Sequence, residues 1–170
     1  MKALITGASS GIGRDMAKFL SEMGYDLILV ARRLEKLNQV KRELPTNAKV
    51  IRADLSDEAQ CIALYEQVKG EDIDILINNA GFGVFGDFCS TDLNSELKMI
   101  DTNIRAVHIL TKLFLKDFKQ RDSGYILNVA SSAAFQPGPL LSSYYASKAY
   151  VLRLTEAIYE ELRRAGSHVH

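Results

Sequence analysis

A chain of 170 residues can bury the core of one domain and is short for two, so a single domain over 1–170 is expected. Hydrophobic residues at 47% and charged residues at 25% exclude a disordered or fibrous chain. Twenty-one basic and twenty-one acidic side chains cancel, so the chain as a whole has no charge-driven attraction to nucleic acid or an anionic membrane. In chain order, residues 2–6 form a short apolar run with strand character. Gly7, Gly11 and Gly13 follow within seven residues. Met16, Ala17, Phe19 and Leu20 then recur at helical spacing, which predicts a helix to about Met23 with Gly24 as its stop. A second buried strand is predicted over 26–31, a helix over 32–44 closed by Pro45, and a third strand over 49–53. Ser56 or Asp57 caps a third helix through Ile62, Leu64, Tyr65 and Val68. A fourth strand over 73–77 leads into a glycine- and phenylalanine-rich loop over 78–91. A long helix over about 93–120, a fifth strand over 125–130, a loop with Pro137, Gly138 and Pro139, and a last helix over about 143–164 complete the chain.

Five apolar strands separated by helices imply an α/β fold, a parallel sheet with helices on both faces. Right-handed crossovers and a phosphate-type turn after strand one predict the doubly wound Rossmann order 3-2-1-4-5. Ligands of such sheets sit beyond the carboxyl ends of the strands, where Thr6, Arg32, Asp54, Asn78 and Ser131 fall. The first strand begins almost at Met1, which predicts no secretory leader, and no apolar run approaches membrane-spanning length. Cys61 and Cys89 lack metal-ligand spacing and read as free thiols of a reducing cytoplasm, so no metal is expected.

The glycine turn is the first element with chemistry. A strand turning tightly into a helix leaves the first helical N–H groups unpaired, and these suit a pyrophosphate. A dinucleotide fold shows its cofactor choice at the end of strand two, where a carboxylate accepts from an unmodified ribose and an arginine pairs with a 2′-phosphate. The sequence there is Val30-Ala31-Arg32-Arg33, which favours NADP(H); the bland alternative is a solvated helix start. Arg14 could add a second positive charge. Asp54, after strand three, either accepts from an adenine amino group or caps a turn.

Tyr144 and Lys148 lie four apart at the start of the last helix and project from one face. A phenol, with a reference pKa of about 10, becomes a better acid–base group beside an ammonium. Ser131 could donate to the same substrate oxygen, and Asn103, awkward inside a helix, could hold a water beside Lys148. A lone Tyr-xxx-Lys pair is common on helix surfaces and weak by itself.

Taken together, Thr6-Gly-Ala-Ser-Ser-Gly-Ile-Gly13, Asn78-Asn-Ala-Gly81, Asn103, Ser131 and Tyr144-xxx-Lys148 resemble the short-chain dehydrogenase/reductase family, in its large single-domain branch. The resemblance runs from Met1 to about Arg164. It implies an oxidoreductase that interconverts a carbonyl and an alcohol by hydride transfer. Tyr144 would be the acid–base residue, Ser131 would orient the substrate oxygen, and Lys148 would bind the nicotinamide ribose. Asn103 would complete a proton relay through water. The cofactor would lie against Gly7, Ser9, Ser10, Gly11, Ile12 and Gly13, against Arg32, Arg33, Asp54 and Leu55, and against Asn79, Ala80 and Gly81, besides Tyr144 and Lys148. Tyr145 and Ser132 are each one place from the matching residue. The family also implies a homodimer or homotetramer through the two long helices, whose apolar residues Val151, Leu152, Leu154, Ile158 and Leu162 cover more than one face.

The pattern departs from the family at its end. A sixth strand, a Pro-Gly turn, a substrate lid and a seventh strand would be expected after His170. Strand five would be a bare edge and the sheet face beside the last helix partly uncovered. His168 and His170 read as the opening of that strand or as a frayed end, not as metal ligands. Two readings therefore stand, an NADP(H)-dependent oxidoreductase and a cofactor-binding or assembly module without a finished substrate site. Phe82, Phe85 and Phe88, with residues 135–141, suggest an apolar pocket mouth; the substrate itself is open.

Overall fold

Alternation within the strands sorts the apolar residues onto two faces of one sheet, and the helices follow. The computed structural model describes all 170 residues. Its strands are β1 (Lys2–Thr6), β2 (Asp26–Ala31), β3 (Ala48–Arg52), β4 (Ile75–Asn78) and β5 (Tyr125–Asn128). They are parallel and ordered β3-β2-β1-β4-β5, as the doubly wound reading requires. The helices are α1 (Gly11–Glu22), α2 (Leu34–Arg42), α3 (Glu58–Val68), α4 (Leu93–Ile100), α5 (Val107–Gln120) and α6 (Ser142–Arg164).

Leu4, Ile28, Val30 and Leu76 point to one face and pack with Leu64 and Val68 of α3, Leu110, Phe114 and Phe118 of α5, and Leu162 of α6. Ala3, Ile5, Leu27, Leu29 and Ile77 point to the other and pack with Ala17 of α1 and Leu37 and Val40 of α2. Each fully buried large side chain contributes roughly 1.5–3 kcal/mol by leaving water. No helix is long and apolar enough to cross a membrane.

Three local results differ from the sequence expectation. The helix predicted over 93–120 is continuous but not uniform: α4 passes into α5 through one wide π-helical turn, Asp101–Ala106. The chain after β5 enters a short 3-10 turn, Ser132–Phe135, capped by Ser131, whose Oγ accepts from the Ala133 N–H. The outer edge of β5 is partly paired. The Ile126 N–H donates to the His170 carbonyl and the His170 N–H to the Gly124 carbonyl, so residues 169–170 open a sixth parallel strand. Asp122 anchors that segment, accepting from the Ser167 hydroxyl and the His168 N–H and pairing with His168 Nδ1 at 2.6 Å.

At β5 the sheet is only partly covered on the α6 side and open on the other. A groove of about 270 Å³ lies on the α6 side, along Ile126, Leu152 and Ile158. On the opposite face Tyr125 and Leu127 are 55% and 45% exposed, because α1 and α2 do not reach β5.

Candidate active site

The glycine turn is held by close main-chain contacts rather than by a cap. Gly7 and Gly11 have φ of +67° and +54°, conformations that a side chain disfavours. Thr6 Oγ1 accepts from the Asn79 and Ala80 N–H groups, and Asn79 Nδ2 donates to the Thr6 carbonyl at 3.1 Å. The end of β1 is thereby tied to the end of β4, and no room is left at Gly13, where an added Cβ would come within 2.5 Å of the Gly7 oxygen. Asp57 and Asp92 cap α3 and α4 with their carboxylates, whereas Ser10 makes no side-chain bond at the start of α1. The first-turn N–H groups of α1 are thus left free of a side-chain cap.

A cleft of about 740 Å³ crosses the carboxyl ends of the strands. At one end lie Arg32 and Arg33 after β2 and Asp54 and Leu55 after β3. Gly7, Ser9, Ser10 and Ile12 line its middle, and Asn79, Ala80 and Gly81 follow. Gly11 and Gly13 shape the turn without lining the cleft. Arg14 is engaged by Asp15 at 3.1 Å. Of the two roles open to Asp54, the structure displays the turn cap: its Oδ1 accepts from the Ser56 N–H and hydroxyl.

Ser131, Tyr144 and Lys148 meet at the other end of the cleft. Lys148 is 6% exposed and donates from Nζ to the Val129 carbonyl at 2.8 Å. Burial lowers its pKa from the ordinary lysine value. Its ammonium lies 5.9 Å from the centre of the Tyr144 ring. Because Ser131 Oγ accepts from a main-chain N–H, its own proton stays available for donation. Asn103 does not line the cleft. Its Oδ1 accepts from the Phe82 N–H at 3.1 Å, and its Nδ2 donates to the Phe82 carbonyl at 2.9 Å and to Ser147 Oγ at 3.1 Å. Both amide protons of this side chain are thus engaged by protein groups.

A model of the short chain dehydrogenase family matches residues 1–170. The chain belongs to that family. Mouse 17-beta-hydroxysteroid dehydrogenase type 3 is 37% identical over 171 residues, covering 96% of this chain and 56% of that protein. A very-long-chain 3-oxoacyl-CoA reductase from Neurospora crassa is 36% identical over 177 residues, covering 99% and 53%. The chain thus spans about half the length of these curated relatives. A crystal structure of a metagenomic short-chain oxidoreductase in complex with NADP superposes with a TM-score of 0.93 at 32% identity, covering 100% of this chain and 79% of that one.

Of the loop aromatics read as a pocket mouth, Phe82 lines the cleft with Gly83 and Leu141, while Phe85, Phe88 and Phe135 point to solvent, 73%, 63% and 71% exposed. Several cleft residues escaped the sequence reading. Ala31, Ala53, Val129 and Ala130 follow from the rule that ligands lie beyond the strand ends. Thr102, on the wide turn, had no such signal.

Proposed function

We infer that the chain carries out NADP(H)-dependent interconversion of a carbonyl and an alcohol. The observation that carries this reading is the convergence of Ser131, Tyr144 and Lys148 at one end of a cleft whose other end holds the glycine turn and Arg32 and Arg33. The residues fit such a cofactor chemically. The uncapped first turn of α1 offers main-chain donors to a diphosphate. Arg32 and Arg33 line the far end of the cleft, where guanidinium groups favour a 2′-phosphate over a bare ribose hydroxyl. When bound, NADP(H) supplies or accepts the hydride. Lys148 binds a ribose hydroxyl through its buried ammonium and holds positive charge beside Tyr144. Tyr144 passes the proton to or from the substrate oxygen, and Ser131 donates a hydrogen bond to that oxygen. Asn103 acts as a positioning residue behind them.

The cleft wall of Phe82, Gly83 and Leu141, with relatives named for a hydroxysteroid and a very-long-chain 3-oxoacyl-CoA, supports a carbonyl substrate with a large apolar body. The reading includes a homodimer or homotetramer through the two long helices, no nucleic-acid or membrane partner, and a cytoplasmic setting. A second reading, a cofactor-binding or assembly module, is favoured by the uncovered β5 face at Tyr125 and Leu127.

Titration with NADPH and NADH separately, following the melting temperature, tests the cofactor, since a ligand of the folded state must raise it. A larger shift with NADPH is expected; a larger one with NADH overturns the arginine assignment. Carbonyl-dependent NADPH oxidation abolished by Tyr144→Phe is expected of the enzyme. Binding without turnover would establish the second reading.

A further inference from the structure

Ser147 has no role in the reading above, yet it is fully buried and bonded on two sides. Its hydroxyl donates to the Tyr144 carbonyl at 2.7 Å and accepts from Asn103 Nδ2 at 3.1 Å. Asn103 in turn closes on both main-chain groups of Phe82. Phe82, Asn103, Ser147 and Tyr144 are therefore joined in series. The glycines flanking Phe82 leave room for only a methyl-sized group against the two reactive side chains. A Cβ on Gly81 would lie 3.5 Å from Lys148 Nζ, and one on Gly83 would lie 3.4 Å from the Tyr144 ring. The series thus sets the distance between this loop and both groups. No side-chain cap holds the start of α6, whose N-cap is Leu141.

We propose that Ser147 is a positioning residue of the proton-transfer site, tying the first turn of α6 to the wide turn at Asn103 and so fixing how Tyr144 and Lys148 face the cleft. This rests on the assignment of Tyr144 as the acid–base residue. Removing the hydroxyl would leave a buried Asn103 amide proton without an acceptor and take one hydrogen bond from the Tyr144 carbonyl.

The test compares the unaltered protein with Ser147→Ala, Ser147→Cys and Tyr144→Phe in NADPH-dependent reduction of a panel of aromatic and alicyclic ketones. NADPH binding and melting temperature are measured alongside. Small misplacements of reacting groups cost up to about 100-fold in rate, so Ser147→Ala is expected to lower kcat by roughly 10- to 100-fold. KM for the ketone should stay within about twofold of the unaltered protein, on the reasoning that uniform substrate binding is untouched, while NADPH binding reports any displacement of Lys148. The pH profile of kcat should be displaced. Ser147→Cys, which fills the same space with a weaker hydrogen-bonding group, should fall between the two. The proposal is overturned if Ser147→Ala keeps kcat and its pH profile, or loses rate only in step with its folded fraction while the profile stays in place. A Tyr144→Phe protein that still turns over, or an unaltered protein that reduces no ketone, overturns the underlying assignment and this proposal with it. A dead Tyr144→Phe beside an unimpaired Ser147→Ala sinks this proposal alone.

Discussion

Replacing each glycine of the first turn by alanine separates two physical effects that the turn combines. At Gly11 the backbone is left-handed, with φ of +54°, but an added Cβ meets nothing within 4 Å. Only the conformational cost applies, about 1–2 kcal/mol. Gly13 has no left-handed backbone, yet its Cβ would come within 2.4 Å of Asn79 Nδ2 and 2.5 Å of the Gly7 oxygen. Overpacking of this kind costs about 1–3 kcal/mol, and main-chain atoms that cannot swing aside place it toward the upper end; better helix propensity returns up to about 1 kcal/mol. Gly7 combines both, with φ of +67° and a Cβ 2.8 Å from Asn79 Nδ2 and 2.9 Å from Ala80 Cα. The sum is about 2–5 kcal/mol, a large part of the roughly 5–15 kcal/mol that holds a domain folded. For a chain of this size each kcal/mol lowers the melting temperature by about 2–4 °C. Urea and thermal unfolding of Gly7→Ala, Gly13→Ala and Gly11→Ala should therefore place Gly7→Ala as the most damaging. Equal losses for Gly7→Ala and Gly11→Ala would refute the contribution of the close approach.

Thr111 accepts from Asn78 Nδ2 and donates to Asn128 Oδ1, which are also bonded to each other, so Thr111→Val is expected to destabilise by about 1–3 kcal/mol in urea unfolding through the one Asn78 amide proton left without an acceptor. Phe118, 1% exposed and lying beneath the Arg121 guanidinium, should cost about 3–5 kcal/mol when cut to alanine, read in the same assay. His168 holds the Asp122 carboxyl down to about 2, from the ordinary 3.8. A carboxyl whose pKa is depressed by folding lends stability above its unfolded value and loses it as pH falls through the folded one. Protection of the Val169 and His170 amides, relative to their intrinsic exchange rates, should accordingly fall as pH drops from 3.8 toward 2, and Asp122→Asn should show low protection already at neutral pH. Full protection of both amides in that variant would rule out the anchor.

The five strands and their order were legible because each is a short apolar run bounded by glycine, proline or polar residues, and right-handed crossovers admit few arrangements. The grouping of Ser131, Tyr144 and Lys148 was legible for a related reason. All three stand just after a strand or in the first two turns of a helix beside it, where the topology itself supplies the neighbourhood. The wide turn at Asp101–Ala106 was not legible. Asn103 stood out as awkward in a helix, but its side-chain bonds run to Phe82 and Ser147, 21 and 44 positions away, so local pattern gave no sign of the widened turn. The opening of a further strand at His168 and His170 was one of two readings, but its anchor was not legible, because Asp122, with φ of +49°, reaches 46 positions along the chain. Local pattern carries element type and order; the polar couplings that tune the site are non-local.

Lys148 joins these levels. Folding places its ammonium where water is scarce, so the charged form is disfavoured, and below the folded pKa that burial cost is fully present. The cost fades as pH rises toward the ordinary value of 10.5, because the folded protein sheds the proton before the unfolded chain does. One Nζ donor is satisfied by Val129, and an ammonium has three. A bound molecule that presents hydroxyl acceptors to Nζ replaces part of the lost hydration and favours the charged form again. By linkage, such a molecule must then bind with proton uptake in the alkaline range, and its affinity must fall as Lys148 deprotonates. The residue that weakens the empty fold is thus the one whose charge the proposed cofactor would restore.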